Sequence, residues 1–204
     1  MKALIIVDVQ RDFLPGGALA VPEGDAVIPV LNAIQQRYDL VVLTQDWHPP
    51  DHLSFASNHA GSQPFEITTL DGLPQVLWPD HCVWNTPGAE FAKELDTSRA
   101  AAIFRKGMDT RVDSYSAFFD NGRRRKTGLG DWLRAMGVTE VHIGGLAADY
   151  CVAYTARDAA ELGFTTVVVE DATRPISVAG FVRMSEDLRS RGVCVEPSAA
   201  LLAK

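Results

Sequence analysis

The chain has little cysteine, no excess of positive charge and no long apolar run. Its 204 residues include three cysteines, Cys82, Cys151 and Cys194. A sparse, odd set without a Cys-x-x-Cys pair argues against a disulfide framework and a dithiol redox protein, and it fits a reducing compartment. No window approaches the roughly 20 apolar residues that a membrane span needs. We therefore expect a cytoplasmic protein without a membrane partner.

The charge balance limits the partners further. A formal net charge of −7 argues against a general nucleic-acid binder. The basic run at 123–126 is interpreted as a solvated loop. Residues 1–8 form a short apolar run that ends at an acid, which predicts a strand and not a signal peptide.

What the chain does contain is apolar sequence, 47% of its residues, in short continuous runs of valine, isoleucine and leucine. Such runs are typical of strands buried on both faces of a parallel sheet. Helical patterns separate them, which predicts one α/β domain over residues 1–204: a doubly wound, mostly parallel six-stranded sheet with helices on both faces. The predicted strands are 3–9, 40–44, 101–104, 141–144, 165–169 and 192–195. The predicted helices are 25–37, capped by Asp25, then 130–136, 150–162 and 176–191.

A long connection follows the second predicted strand, from about residue 45 to about residue 100. It holds four of the five histidines and three of the four tryptophans, with at most a short helix near 89–95. Long irregular connections in compact domains are usually functional or disordered, and this composition argues against disorder. We therefore expect a functional insertion.

Cys151 directly follows a predicted strand and begins a predicted helix. The positive end of the helix dipole would favour its thiolate, and free N–H groups there could stabilise an oxyanion. A small residue packed under a turn is an equally good reading of this segment alone. Asp8 and Lys106 also follow predicted strands, at the edge where open α/β sheets bind ligands. They would give a cysteine nucleophile its base and a stabilising charge.

A second group of polar residues lies in the long connection. Asp46 and His48 are alternate residues past a strand end, so both can point to one side. A polar loop explains this pair alone, but with His81 the set offers three ligands for Zn²⁺, or for Fe²⁺ or Mn²⁺. His52 is either a further ligand or, more often in such sites, a polar neighbour of the ligands. His59 is interpreted as a loop residue.

Six motifs, in order along the chain, resemble those of the nicotinamidases in the isochorismatase-like hydrolase superfamily. Each is moderately specific, and together they cover most of the chain from residue 3 to about residue 172. The motifs are ALIIVDVQRDF (3–13), TQDWHP (44–49), WPDHC (78–82), KGMD (106–109), VDSYSAF (112–118) and GLAADYCV (145–152).

The resemblance implies an isochorismatase-like fold and hydrolysis of nicotinamide to nicotinate and ammonia, with pyrazinamide as a surrogate substrate. Asp8, Lys106 and Cys151 would be the catalytic triad, with a thioester on Cys151. A cis peptide would precede Ala147, whose N–H would join that of Cys151 in binding the oxyanion.

The resemblance also implies one divalent metal ion, Zn²⁺ first among the candidates, and a small aromatic amide as the substrate. A homo-oligomer would be compatible with it. The implied metal ligands are Asp46, His48 and His81, and the side chains that would flank the aromatic ring are Phe13, Trp78 and Tyr115.

Other functions remain open at the level of sequence. Another isochorismatase-like amidohydrolase, acting on an N-carbamoyl compound, is the main alternative to a nicotinamidase. An isochorismatase would not need both Cys151 and the Asp46, His48 and His81 set. A non-catalytic binding module with a decayed site would not keep the residues of the triad. Among the remaining polar residues and cysteines, we expect Asp149 to cap a helix, Asp12 to fix a loop, and Cys82 and Cys194 to be buried.

Overall fold

The computed structural model describes residues 1–202, so the last two residues of the predicted 1–204 domain lie outside the described residues. The strands are β1 (Lys2–Val7), β2 (Leu40–Asp46), β3 (Ile67–Leu70), β4 (Leu73–Val76), β5 (Ala100–Lys106), β6 (Glu140–Leu146), β7 (Thr165–Arg174) and β8 (Cys194–Glu196). The α-helices are α1 (Val27–Ile34), α2 (Leu129–Ala135), α3 (Ala153–Glu161), α4 (Val178–Ser190) and α5 (Ser198–Leu202).

Six strands form one parallel sheet, as predicted, and their order in it is β5-β2-β1-β6-β7-β8. The winding reverses at β1 and β6, which are neighbours in the sheet although more than a hundred residues separate them in the chain. In open α/β sheets, ligands bind outside the carboxyl ends of the strands at this reversal. The topology therefore selects the ends of β1 and β6 as the site to inspect.

Both faces of the sheet are covered because the strands are apolar on both sides. In β1, Leu4 and Ile6 belong to one core, while Ile5 and Val7 belong to the other. Helix α1 packs its apolar side on the first core and α5 contacts it there. Helices α2, α3 and α4 contribute to the second core. The prediction of helices on both faces is thus confirmed.

Strands β2 and β5 run two residues further than predicted. Asp46 and Lys106 are consequently the last residues of their strands, and they are direct partners in the parallel register. Backbone pairing alone therefore sets these two side chains side by side at the carboxyl edge.

Two helix starts differ from the predictions. Asp25 does not cap α1, because the left-handed backbone of Glu23 leads into a 3₁₀ turn at Gly24–Ala26 and the helix begins only at Val27. The predicted helix 150–162 is preceded by one wide π-helical turn, Ala148–Val152, before α3 begins. Among residues 1–202, no helix is both long and apolar enough to cross a membrane.

The long connection after β2 contains one element that the sequence analysis missed. Strands β3 and β4 form an antiparallel hairpin, separate from the main sheet, around Asp71 and Gly72, which both have positive φ. An Asp-Gly pair between apolar runs is a hairpin signal. At 89–95, where the sequence allowed at most a short helix, none forms over residues 90–95, because the Glu90 carbonyl and the Ala92 N–H bond instead to the chain that follows β1.

Gly145 allows the two central strands to approach closely near the reversal. Its φ is +116°, and a Cβ atom there would overlap the carbonyl oxygen of Val7. A side chain at this position must therefore push β6 away from β1, directly beside Asp8.

We expect Gly145→Ala to lower the free energy of unfolding by about 3 kcal/mol, from backbone strain and overpacking together. Gly137→Ala is the matched control, because Gly137 also has a positive φ, +76°, but open space around its Cβ position. That control should lose about 1 kcal/mol. Urea denaturation measures both, and equal losses would contradict the close approach.

Candidate active site

Lys106 lies at the centre of a buried cluster at the carboxyl edge of the sheet. Its Nζ donates to Asp46 Oδ1 at 2.5 Å and to the Ser114 carbonyl oxygen at 2.9 Å, and it lies 2.8 Å from Asp8 Oδ2. Cys151 Sγ is 3.5 Å from the same nitrogen. The structure therefore brings together the three residues predicted as a triad, from the ends of β1 and β5 and the turn after β6.

Burial and neighbouring charges set the proton affinities in this cluster. Burial raises the pKa of Asp8 to about 6, although the Lys106 ammonium opposes the shift. Lys106 has a raised pKa because the Asp46 and Asp8 carboxylates outweigh its burial. The Lys106 ammonium is therefore charged at neutral pH, whereas Asp8 titrates just below neutral pH.

Burial opposes the thiolate form of Cys151 that the helix dipole was expected to favour. Burial raises the pKa of Cys151 well above its ordinary value, and the Asp8 carboxylate adds to the shift, while Lys106 only partly offsets it. The thiol is therefore neutral at rest, so any attack by its sulfur needs a base. Asp8 can serve, because a carboxylate oxygen of Asp8, one of Asp46 and the sulfur lie within 4.8 Å of one another.

The backbone around Cys151 has the predicted unusual geometry. The peptide bond between Leu146 and Ala147 is cis, as predicted. Ala147 precedes the π-helical turn and lines the same cavity as Cys151.

Asp46, His48 and His81 converge beside this cluster, all three buried, with one ligand atom of each within 4.8 Å of the others. His48 Nδ1 lies 2.8 Å from the Gly107 carbonyl oxygen, and His81 Nδ1 lies 2.8 Å from that of Pro79. A carbonyl only accepts, so each neutral ring holds its proton on Nδ1 and presents a lone pair on Nε2. With Asp46 Oδ2 at 3.7 Å from His48 Nε2, this oxygen and nitrogen set fits a divalent metal ion.

The charges of this set suit a cation. The pKa of Asp46 lies below its ordinary value. Burial acts to raise this pKa, but the charges of Lys106 and His48 outweigh burial, so the carboxylate is ionised. Burial lowers the pKa of His81 to about 4, which leaves the ring neutral. The pKa of His48 shifts in the opposite direction from that of His81. Burial acts to lower it, but the Asp46 carboxylate outweighs burial and raises it. Metal binding at His48 would therefore compete with a proton.

Aromatic side chains form the remaining wall of the cavity. Phe13, Trp78 and Tyr115, the three predicted ring contacts, all line it. Tyr150 completes the wall, with its ring centroid 4.9 Å from that of Trp78 and 5.4 Å from that of Tyr115. The sequence analysis missed Tyr150, although it adjoins Cys151, because the segment was interpreted as a regular helix.

One further polar residue of this wall, and a polar residue that bonds to the wall from behind, were missed. Asp113 lies inside the motif VDSYSAF but received no role; it is buried and lines the cavity. Gln75, on β4, donates from Nε2 to Asp113 Oδ2 and to the Tyr115 hydroxyl, both at 3.0 Å. No sequence signal identified Gln75, because the hairpin that carries it was itself missed.

The loops behind the site are held by side chains whose roles were partly predicted. Asp12 fixes a loop as expected, since it accepts from the Cys82 and Ala18 N–H groups, and Cys82 is buried. Asp149 does not cap a helix; it accepts from the N–H groups of residues 176 and 177 and ties the segment after β7 to the π-helical turn. Cys194 is exposed and not in the core, because it lies on the edge strand β8.

This architecture, with its reactive groups gathered where the winding of a parallel sheet reverses, is that of a doubly wound α/β enzyme. The chain belongs to the isochorismatase family, whose domain model, described as "Isochorismatase domain", matches residues 2–196. It is 51% identical over 181 residues to a nicotinamidase of Escherichia coli, an alignment that covers 87% of this chain and 84% of that protein.

Solved structures agree with this assignment. A structure described as a nicotinamidase and pyrazinamidase of Acinetobacter baumanii is 45% identical, with a TM-score of 0.95 over 98% of this chain and 97% of that one. A pyrazinamidase of Pyrococcus horikoshii, solved in complex with zinc, is 39% identical, with a TM-score of 0.79 over 96% and 98% of the two chains.

The ion pairs of Lys106 predict a large effect on stability. Lys106→Met should lower the free energy of unfolding at pH 8 by about 3–5 kcal/mol, because two buried carboxylates lose their partner. The loss should be smaller at pH 5, where the orphaned carboxylates can take up protons. Lys126→Met is the control. The mostly exposed ammonium of Lys126 lies 3.5 Å from Asp131, so its loss should change the free energy of unfolding by no more than about 0.5 kcal/mol. A loss independent of pH would contradict this assignment of charges.

Proposed function

We propose that the chain hydrolyses nicotinamide to nicotinate and ammonia, and pyrazinamide by the same route, with Asp8, Lys106 and Cys151 as its catalytic residues. The observation that carries the proposal is the shared cavity, in which the sulfur of Cys151 faces both a buried acid and an aromatic wall. The nicotinamidase names of the relatives support the same small-molecule substrate. Self-association remains a prediction from the family resemblance.

Asp8 acts as the general base. The Cys151 thiol is neutral at rest, so its proton moves to the Asp8 carboxylate as the sulfur attacks the carboxamide carbon. Protonated Asp8 then gives this proton to the departing nitrogen, and ammonia leaves as the thioester forms. Asp8 next deprotonates a water molecule, which hydrolyses the thioester and releases the carboxylic acid and the thiol.

Lys106 keeps its proton throughout. Its ammonium lies between the Asp8 carboxylate and the sulfur, so it stabilises the negative charge on either group as the proton is exchanged. The N–H groups of Ala147 and Cys151 bind the oxyanion of the tetrahedral intermediate, a kind of contact worth roughly 3 kcal/mol each in comparable sites.

Asp46, His48 and His81 would hold one divalent metal ion, and the zinc complex of the relative makes Zn²⁺ the first candidate. When bound, the ion supplies a coordination position for the pyridine nitrogen and so orients the ring. Phe13, Trp78 and Tyr115 flank the ring and exclude water from the thiol. The carboxamide would then lie toward Cys151.

The function is tested by ammonia release from nicotinamide, pyrazinamide and an N-carbamoyl amine. We expect the purified protein to release ammonia from the two aromatic amides, and Cys151→Ala to lower kcat by at least about 10⁴-fold. Calorimetry should show that this variant still binds nicotinamide. The control Cys194→Ala alters an exposed thiol and should keep full activity. Turnover retained in Cys151→Ala, or turnover only of the N-carbamoyl compound, would refute the proposal.

The pH dependence tests the role of Asp8. Its carboxylate accepts the thiol proton only when ionised, so kcat/KM should fall tenfold per unit below about pH 6, the raised pKa of Asp8. Thr44 Oγ1 donates to Asp8 Oδ1 at 2.6 Å and stabilises its ionised form. Thr44→Val should therefore move the acid limb to higher pH. A limb that stays in place would assign the titration to another group.

A further inference from the structure

A second cavity, of about 140 Å³, lies at the carboxyl end of β5. Its lining residues, which define what is called the β5 cavity below, are 105–109, 114, 120 and 125–127. Among residues 1–202, none of these also lines the active-site cavity. The volume is several times what one water molecule needs, so a small ligand fits. The proposed function gives the β5 cavity no role.

Arg105, in this lining, is held in place but has no acidic partner. Its guanidinium carbon lies 3.9 Å from the centroid of the Trp47 ring, and its Nε donates to Gln45 Oε1 at 3.1 Å. In the part of the chain that the structure describes, no carboxylate lies within ion-pair distance of it. The two terminal nitrogens are thus free to donate. A fixed guanidinium with free N–H groups matches the oxygens of a carboxylate or a phosphate.

Ser114 lines the same cavity and is only 8% exposed. Its carbonyl oxygen accepts from Lys106 Nζ at 2.9 Å, which fixes the residue behind the active site. Its hydroxyl makes no hydrogen bond to any of residues 1–202. A hydroxyl without a partner in a buried residue costs free energy, so it points to a ligand that the chain itself does not supply.

The β5 cavity also collects positive charge, although the chain as a whole carries a net charge of −7. Apart from Lys106, whose ammonium belongs to the active-site cluster, three cations line it, namely Arg105, Arg125 and Lys126. The last two come from the basic run 123–126, and their ion pairs are weak because both side chains are mostly exposed. An anion between the three cations would lower their mutual repulsion.

The two acids of the lining do not take the place of such an anion. Asp120 is engaged by two backbone N–H groups of the basic run, each at 2.9 Å. Asp109 accepts from the Arg111 N–H at 3.0 Å and pairs with Arg125. Both carboxylates therefore fix the loops that form the cavity, while the terminal nitrogens of Arg105 stay available.

We propose that the β5 cavity binds a small anion through its carboxylate or phosphate oxygens. The terminal nitrogens of Arg105 and the hydroxyl of Ser114 donate to these oxygens, and Arg125 and Lys126 add electrostatic attraction. Because the Ser114 carbonyl also holds Lys106, the anion binds one residue away from the catalytic ammonium. The site goes beyond the proposed function and does not depend on it.

Calorimetry with inorganic phosphate, at an ionic strength held constant with potassium chloride, tests the site. We expect one phosphate per chain in the wild type, and an affinity at least about 10-fold lower in Arg105→Gln, because the charged fork is lost. Arg111→Gln is the matched control, since Arg111 is exposed on the segment that follows β5 but does not line the cavity. Equal phosphate affinity in Arg105→Gln and the wild type would overturn the proposal.

Ser114→Ala removes one hydroxyl group and serves as the second variant. Its phosphate affinity should fall by about 10-fold, the usual effect of losing one hydrogen bond to a charged group. Thermal denaturation without phosphate checks that each variant is folded, and added phosphate should raise Tm less in both variants than in the wild type. An unchanged affinity in Ser114→Ala would overturn the assignment of the ligand to this hydroxyl.

Nicotinate, the product of the proposed reaction, separates the two sources of such an anion. Two nicotinate ions per chain in the wild type and one in Arg105→Gln would identify the carboxylate product as a ligand of the β5 cavity. One nicotinate in both proteins, with phosphate binding that depends on Arg105, would identify phosphate instead. The proposal is overturned if the wild type binds no phosphate and Arg105→Gln binds as much nicotinate as the wild type. Ammonia release is measured separately, so its absence would refute only the proposed function.

Discussion

The buried ammonium of Lys106 is the interaction on which the rest of the site depends. A lone charge at this depth would cost several kcal/mol or lose its ionisation, and so would each carboxylate beside it. The cluster is tolerable because parallel strand register brings Lys106 next to Asp46 and the end of β1 brings Asp8. Two acids share one cation, so the cluster has a surplus of negative charge. Burial is the main reason why the pKa of Asp8 is raised, and the charge of Asp46 adds to it while Lys106 opposes it.

Asp46 belongs to both halves of the site. One of its oxygens accepts from Lys106, and the other faces His48. A positive charge placed among the histidines would therefore act on Asp8 and Cys151 through the Asp46 carboxylate. The distances are too short for solvent to screen this interaction. Gln10 reinforces the arrangement, because its amide bonds both the N–H and the carbonyl oxygen of Asp46. The backbone that carries this shared residue is thus tied to the loop that follows Asp8.

The residues at the strand ends were predictable because parallel strands all deliver their carboxyl ends to one edge. Asp8, Asp46, Lys106 and Cys151 could be selected on that ground before any contact was known. Proton positions could not be predicted in this way. The neutral thiol of Cys151 depends on burial by distant segments, and the proton on His48 Nδ1 depends on the Gly107 carbonyl oxygen, which lies 59 positions further along the chain.

The remaining errors have a common physical origin. Asp149 and the segment near residue 90 were interpreted from local helix signals, but their hydrogen bonds run to residues 27 and 79 positions away. Tertiary partners outweighed local propensity at both places. The hairpin was missed for the opposite reason: its Asp-Gly turn is a local signal, but Pro74 within β4 argues against a strand.

The β3–β4 hairpin is separate from the main sheet that carries the acid–base groups. Within residues 1–202, strands β3 and β4 pair only with each other, yet Gln75 on β4 donates hydrogen bonds to Asp113 and Tyr115, which line the cavity. The groups that exchange protons are anchored to the main sheet, whereas two residues of the cavity wall are supported by this separate hairpin. A substitution in this hairpin would therefore reach the cavity through Asp113 and Tyr115, while the acid–base groups stay held by the main sheet.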